Sequence, residues 1–201
     1  KNPIIAAIGS TAPLPIPASV TVIHDYSFYN CSLAENIILS ENVTSINQYA
    51  FANCSSVSKF NSNDVSKMNI PDSCIQIGDY AFKGMALLTN VVVSDSVVSI
   101  GNGAFNGFNS LENISIPFVG SSIDSTKING VFGYIFGYET KTKCDYGKAY
   151  NNYQFMNTGY NFENSIWQYT YDSMNNTSSY STNGYVYYGF YIPTTLREVT
   201  I

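Results

Sequence analysis

One motif of 23 residues recurs about four times in this chain, and this repetition limits what the chain can fold into. Residues 95–117 read DSVVSIGNGAFNGFNSLENISIP. Four apolar residues of this stretch have counterparts 23 positions earlier: Ile100 and Ile77, Phe105 and Phe82, Leu111 and Leu88, Ile114 and Val91. The same step separates residues nearer the start, including Val20 and Val43, Ile23 and Ile46, Phe28 and Phe51, Cys31 and Cys54. A fixed period of this length indicates stacked coils that bury a shared core, because a single coil cannot bury its apolar side alone.

A period in the low twenties is typical of a leucine-rich-repeat solenoid. In residues 111–116, Ile114 and Ile116 are two positions apart and face one side of a short strand, so Asn113 and Ser115 face the other. Neighbouring coils would pair these strands into a parallel sheet. The Ala-Phe pairs that follow predict helical or 3₁₀ turns whose phenylalanines line one core. The sequence therefore predicts a right-handed solenoid with short parallel strands.

The spacing of the repeats divides the chain. Residues 1–13 are predicted to cap the solenoid, and residues 14–117 to form four repeats of about 23 residues. Ile46 and Ile77 are 31 positions apart, and we assign the extra residues to a polar surface loop near 61–69. Residues 118–191 are predicted to be a Tyr-rich, β-containing insertion. Residues 192–201 resume the pattern as the first strand of a further repeat.

Composition excludes several classes of function. Only 11% of residues are charged and the net charge is −5, whereas a nucleic-acid-binding protein needs a basic surface. No apolar run approaches the roughly 20 residues that cross a bilayer. The spacing of the four cysteines is not that of a disulfide framework. Cys31, Cys54 and Cys74 are expected to be buried free thiols, with a Cys31–Cys54 bridge as the alternative, and Cys144 has no evident partner.

No catalytic or metal-binding set is visible. The single histidine, His24, has no second ligand in the pattern and is interpreted as a surface turn residue. Neither a nucleotide-binding glycine motif nor a nucleophile elbow occurs. The sequence predicts a non-enzymatic protein without a cofactor.

Two surfaces are candidates for binding. The first is the outward stripe of the sheet, on its predicted concave side, where solenoids commonly bind. Its predicted members are Asn36, Ile38, Lys59, Asn61, Asn90, Val92, Asn113, Ser115, Glu198 and Thr200. The second is an aromatic platform in the insertion, which holds thirteen of the 17 tyrosines and the single tryptophan. Its predicted members are Trp167, Tyr169, Tyr171, Tyr185 and Tyr187, although these side chains could instead form the insertion's own core.

The repeats resemble the BspA-like leucine-rich repeat family of bacterial and protist surface proteins. The signature P-x-S-V-x-x-I-G-x-x-A-F-x-G/N-C-x-x-L-x-x-I-x-I is found, with departures, in residues 17–39, 42–60, 71–93 and 95–116. Among the departures, Met85 and Phe108 stand at the usual cysteine position. The resemblance implies a secreted or surface-anchored protein that functions in adhesion and partner binding.

These observations favour an extracellular or cell-surface binding module. Its partner would be a protein or glycan of a host or neighbouring cell, contacted through the sheet and the insertion. The alternative is a carbohydrate- or cell-wall-binding module in which Trp167 and neighbouring tyrosines stack on sugar rings. The apolar strand near the end of the chain also predicts self-association by edge pairing.

Overall fold

The structure, a computed structural model, describes residues 13–125, 127–130, 132–141, 166–170 and 186–201. The repeats form coils, and each regular coil contributes one strand to each of two parallel sheets. The larger, here called the wide sheet, has seven strands in the order β1 (Leu14–Pro15), β3 (Asn36–Ile38), β5 (Lys59–Phe60), β6 (Lys67–Asn69), β8 (Asn90–Val92), β10 (Asn113–Ser115) and β14 (Glu198–Thr200). The smaller, the narrow sheet, has four strands in the order β2 (Val22–Ile23), β4 (Ser45–Ile46), β7 (Gln76–Ile77) and β9 (Ser99–Ile100).

A third side of each coil is a turn that carries the phenylalanine of the motif. Phe28, Phe51, Phe82 and Phe105 are all buried, and their rings stack with centroids 4.9, 6.0 and 5.8 Å apart. The predicted alignment of these four rings in one core is therefore confirmed. Backbone bonds join the turns as well, because Phe51 N–H donates to the Ala81 carbonyl and Phe82 N–H to the Ala104 carbonyl, at 2.8 and 3.0 Å.

One core runs through all these coils. The wide sheet contributes its alternate residues, Ile37, Phe60, Met68, Val91 and Ile114, each no more than 2% exposed. The narrow sheet adds isoleucines from the opposite side of the same cluster. Strands of two or three residues suffice because all but the edge strands β1, β14, β2 and β9 are paired on both sides, and each need present only one or two apolar side chains inward.

The structure differs from the prediction between residues 61 and 69, where a surface loop was expected. Residues 61–66 form the short connection, and residues 67–69 form β6, an additional strand of the wide sheet. Met68 is fully buried. The narrow sheet has no counterpart, since Ile46 on β4 pairs directly with Ile77 on β7. The sequence does contain a signal: residues 67–71 stand two periods, 46 positions, before residues 113–117 and share their alternation and final proline.

The solenoid core extends into residues that the sequence assigned to the insertion. Phe118, Ile135 and Phe136 are buried in the same cluster as the repeats. Two 3₁₀ turns, Lys127–Gly130 and Phe132–Phe136, lie here, and Phe105 N–H donates to the Ile135 carbonyl at 2.9 Å. This stretch thus stacks on the fourth repeat as the next coil.

Beyond it lies an antiparallel sheet of β11 (Tyr138–Lys141), β13 (Val186–Phe190) and β12 (Ile166–Thr170), with β13 in the centre. Phe190 is buried, and its side chain lies against Gly133. The chain then returns to the wide sheet, where β14 pairs with β10.

Three cysteines occupy the core as predicted. Cys31, Cys54 and Cys74 are buried free thiols, and those of Cys31 and Cys54 lie within hydrogen-bonding reach of each other. Cys54 Sγ also donates to the Phe28 carbonyl at 3.2 Å. Cys144 and the predicted cap up to residue 12 lie outside the described residues. Within the described part of the chain, no helix has the length and apolar character to span a bilayer.

Candidate binding surfaces

The outer face of the wide sheet brings the predicted stripe together. Asn36, Lys59, Asn90, Asn113 and Glu198 occupy register positions that pair across neighbouring strands, with Lys67 inserted between Lys59 and Asn90. These six residues are called the first row. A second row lies two residues further along each strand: Ile38, Asn69, Val92, Ser115 and Thr200, with Asn61 beside Asn69 just after β5. Their role in binding stays a prediction.

Some side chains of the first row form hydrogen bonds with neighbouring side chains. Asn113 Nδ2 donates to Asn90 Oδ1 at 2.8 Å, and Asn90 Nδ2 donates to Thr89 Oγ1 at 2.8 Å. Asn36 differs, because its Oδ1 is buried and has no hydrogen-bond partner among the described residues. The second row is more exposed, with Ile38 and Val92 about two-fifths accessible at 41% and 39%.

Two residues of the outer face, Lys67 and Asn69, were not predicted from the sequence, because both lie on the additional strand β6. Lys67 Nζ is 3.7 Å from an Asp64 carboxylate oxygen, in an ion pair at the surface. With Lys59 on the adjacent strand, Lys67 makes the centre of the first row positive, although the chain as a whole is acidic.

The predicted aromatic platform is only partly within the described residues. Tyr169 on β12 is the register partner of Tyr187 on β13, and Trp167 is the partner of Gly189. These three positions therefore lie on adjacent strands of the antiparallel sheet. Tyr171 and Tyr185 lie outside the described residues.

A second aromatic feature was missed altogether. Tyr26, Tyr49 and Tyr80 stack along the turn side, with ring centroids 5.1 Å apart at both steps and interplanar angles of 7° and 15°. All three have positive φ, between 53° and 57°. Gly103 is the next position of this series, and the Tyr80 ring lies directly over it, where a Cβ would be 2.4 Å from Cε1. We call these three tyrosines the tyrosine stack.

The tyrosine stack has ring faces turned to one another, so a ligand meets mainly ring edges and hydroxyl groups. Burial is the main cause that raises the pKa of Tyr49 and of Tyr80, with neighbouring tyrosines and Asp79 adding to the shift. Lys83 Nζ lies 5.4 Å from the Tyr80 ring centroid, in a cation–π contact. This geometry is typical of side chains that stabilise the stacking of coils, and it leaves few ring faces open to a ligand.

Catalytic chemistry gains no support from the described residues. His24 is an exposed turn residue whose carbonyl accepts bonds from the Ser27 amide and hydroxyl. In the ranges that the structure describes, no three His, Cys, Asp or Glu side chains come together as a possible metal site.

Several solved structures are similar to this chain. A leucine-rich repeat protein from Bacteroides ovatus is 28% identical over 52% of this chain and 31% of its own, with a TM-score of 0.40. The leucine-rich repeat protein of T. pallidum is 22% identical over 52% of this chain and 58% of its own, with a TM-score of 0.42. The pneumococcal vaccine antigen PcpA is 19% identical over 59% of this chain and 33% of its own, with a TM-score of 0.39. The chain thus spans about a third to under three fifths of these proteins.

The comparison with curated proteins finds no match to this chain. A family model does match, described as the BspA type leucine rich repeat region, in six copies over residues 8–65 and 58–132. These ranges take in more than half of the 201 residues and contain both sheets up to β10. The predicted leucine-rich-repeat fold and the predicted resemblance are thereby confirmed, and the chain belongs to the BspA-type leucine-rich repeat family.

Proposed function

We propose that this chain is a non-enzymatic protein-binding module that works outside the cell or at a cell surface and contacts its partner through the outer face of the wide sheet. Membership in a family of leucine-rich repeats favours a protein-interaction role. The partner is a protein of a host or neighbouring cell, and adhesion is the process that such contact serves.

The observation that carries the proposal is the outer face itself. Six strands of the wide sheet, from β3 to β14, place partly or fully exposed side chains at successive register positions. Because the inward residues of five of these strands, β3, β5, β6, β8 and β10, are buried in the core, their outer side chains are held on a rigid backbone before any partner arrives. Preorganisation of this kind lowers the entropic cost of association.

Photocrosslinking tests the proposal. A benzophenone side chain is introduced at position 113 in the first row or at position 98, where Val98 is 59% exposed outside the wide sheet. Incubation with intact partner cells should yield a crosslinked protein from position 113 and none from position 98. Asn90→Arg should abolish the crosslink, because it places a bulky cation in the row, whereas Val98→Arg should leave it intact. Equal crosslinking from both positions would refute the proposal.

Carbohydrate binding is the second candidate, and the antiparallel sheet favours it. Trp167, Tyr169 and Tyr187 stand at positions on adjacent strands, an arrangement from which aromatic rings can stack on successive sugars. A glycan array distinguishes this candidate from the first. Binding to a glycan that is lost in Trp167→Ala and retained in Asn90→Arg favours carbohydrate recognition. The reverse pattern with a protein partner favours the wide sheet.

Self-association through β14 is a further proposal. The side of β10 not paired with β8 is covered by β14, where Val199 is 40% exposed at an inward register position. An edge strand that exposes an apolar side chain can pair with another chain. Light scattering over a range of concentrations tests it: a rise in mass that Val199→Lys removes is expected, and a constant monomeric mass contradicts it.

A further inference from the structure

The centre of the wide sheet holds two lysines side by side. Lys59 on β5 and Lys67 on β6 are direct register partners. The next residue of each strand, Phe60 and Met68, is fully buried, so the lysines stand on the outer face. Neighbouring strands are about 4.8 Å apart, which brings the two side chains together at the base.

This pair is unfavourable for the isolated fold. Like charges directly opposite each other on adjacent strands destabilise a sheet. Lys67 has Asp64 at 3.7 Å, but the Asp64 side chain is 74% exposed, and a surface ion pair contributes little. Among the described residues, Lys59 has no carboxylate within ion-pair distance. The repulsion is therefore incompletely offset within the chain, and a ligand with negative charge would relieve it.

The pair exists because the repeat is broken. The other positions of the first row carry no cation: they hold Asn36, Asn90, Asn113 and, at the edge of the sheet, Glu198. The eight-residue departure from the period adds β6 to the wide sheet and leaves the narrow sheet unchanged. Its effect on the outer face is to place a second cation next to the first.

The surroundings of the pair indicate the kind of ligand. In the second row, Ile38 lies on β3, next to the strand of Lys59, and Val92 lies on β8, next to the strand of Lys67. Both aliphatic side chains are about two-fifths exposed, at 41% and 39%. They are three strand spacings apart, about 14 Å, which is close to the reach of four or five extended residues. None of the first-row residues is aromatic, so the face offers no ring on which a sugar could stack.

We propose that Lys59 and Lys67 form a carboxylate-binding centre for an acidic peptide segment of the protein partner, with Ile38 and Val92 receiving apolar side chains on either side of the acidic residues. This inference rests on the proposed function and specifies the chemistry of the partner. Because the whole chain carries a charge of −5, the attraction is local and is screened by salt within about 10 Å at 0.1 M.

The test uses defined peptides in place of the partner. One labelled peptide carries two adjacent glutamates between leucines, and its matched control carries glutamines in their place. A uronic-acid oligosaccharide is the third probe, with carboxylates on sugars. Binding is measured by fluorescence anisotropy at two salt concentrations and by amide shift changes in NMR spectra of the whole chain.

The glutamate peptide should bind more tightly than the glutamine peptide and should shift the amides of residues 59–69. The Lys59→Gln/Lys67→Gln double variant should weaken it by about twofold to thirtyfold, as expected for two exposed charge pairs. Lys83→Gln is the matched control, because Lys83 lies on the turn side beside Tyr80. Added salt should reduce the difference between the two peptides.

Three outcomes would overturn the inference. Equal binding of both peptides to the wide sheet removes the role of the carboxylates but leaves the proposed binding surface in place. Binding of the uronic oligosaccharide at the lysines without the glutamate peptide assigns the pair to a glycan. Absence of any shift at residues 59–69 at millimolar peptide removes the centre, and photocrosslinking from position 113 then decides separately whether the wide sheet binds a partner.

Discussion

The turn side and the wide sheet share one backbone period but use it differently. On the turn side, the phenylalanine rings stack in the core and the tyrosine stack repeats this arrangement at the surface. Amides pair there too, since Asn53 Nδ2 donates to Asn30 Oδ1 at 3.0 Å. On the wide sheet, Asn36 Oδ1 lacks a partner among the described residues and Lys59 lacks a carboxylate.

The difference shows how a repeat protein separates stability from recognition. On the turn side, each residue contacts the equivalent residue of the next coil. Its hydrogen-bonding groups and ring faces are already paired, so few of them are free to contact a ligand. Where β6 breaks the period, Lys59 and Lys67 become neighbours. Among the described residues, no carboxylate neutralises Lys59, so its charge is available to a ligand. We therefore expect substitutions on the turn side to act mainly on stability and those on the outer face of the wide sheet mainly on binding.

The largest effect is expected from Phe82→Ala. The Phe82 ring is fully buried and contacts Phe51, Phe60 and Phe105 at centroid distances of 6.0, 5.2 and 5.8 Å. Removing it leaves a cavity between coils, and the free energy of unfolding should fall by about 3–5 kcal/mol. Chemical denaturation measures this, with Val98→Ala as the exposed control. Equal losses in both variants would contradict the continuous core.

Met68→Ala tests whether the additional strand belongs to the core. Met68 is fully buried on β6, so its truncation should lower the free energy of unfolding by about 2–5 kcal/mol. Val65→Ala, three residues earlier in the connection and 65% exposed, should change it by less than about 0.5 kcal/mol. Similar small effects of both substitutions in urea unfolding would mean that residues 67–69 behave as the surface loop predicted from sequence.

A smaller loss is expected from Tyr49→Ala. Its ring stacks on two others, and each such contact contributes about 0.5–1.5 kcal/mol beyond buried area, so about 1–3 kcal/mol should be lost. Tyr29→Ala is the control, because Tyr29 makes one edge contact with Tyr26 at 5.6 Å and is 43% exposed. Thermal unfolding should rank the two variants in this order, and the opposite ranking would show that the stack is not a source of stability.

The last effect is gradual, at most about 1.4 kcal/mol per pH unit, and it concerns alkaline pH. Burial raises the pKa of the Cys54 thiol to about 12, from its ordinary value of 9.0. Above pH 9 the unfolded chain loses this proton while the folded chain keeps it, so stability falls as pH rises toward 12, by up to about 1.4 kcal/mol per pH unit. Below pH 9 the thiol is protonated in both states and this contribution is absent.

Urea unfolding at several pH values measures the slope. Cys54→Ala should reduce it, although Cys74, whose pKa burial raises to about 11, still contributes. A single substitution at the exposed Ser55 leaves the thiol intact and serves as the control. An unchanged slope in Cys54→Ala would show that Cys54 does not titrate differently in the folded chain.

Most of the solenoid was predictable because its determinants are local and repeated. The spacing of Ile100, Phe105 and Leu111 specifies which side chains point inward, and the copies of this spacing specify the neighbours. The strand at residues 67–69 was missed because the residues that follow the second repeat are mostly polar, and a polar stretch suggests a loop when the sequence is read forward from that repeat. Its match to residues 113–117 is visible only when the period is counted backward from the later repeats.

The tyrosine stack was missed for another reason. Tyr26, Tyr49 and Tyr80 are spaced by 23 and then 31 residues, so the break in the period hides their equivalence. Their contacts also need positive φ at each tyrosine, a conformation that the residue type does not suggest. The coil that contains Phe118, Ile135 and Phe136 has too little of the motif to be recognised, although these three side chains fill the same core.

The sequence by itself determined the coil, its inward residues and its family, because a periodic apolar pattern can be buried in few ways other than by stacking. Only the tertiary structure decided that the two sheets have different numbers of strands and that Lys59 and Lys67 are neighbours. In the sequence, Lys59 and Lys67 are eight residues apart, a spacing that does not correspond to the 23-residue period. Strand pairing, a long-range property of the packed coils, is what brings their charges to one place.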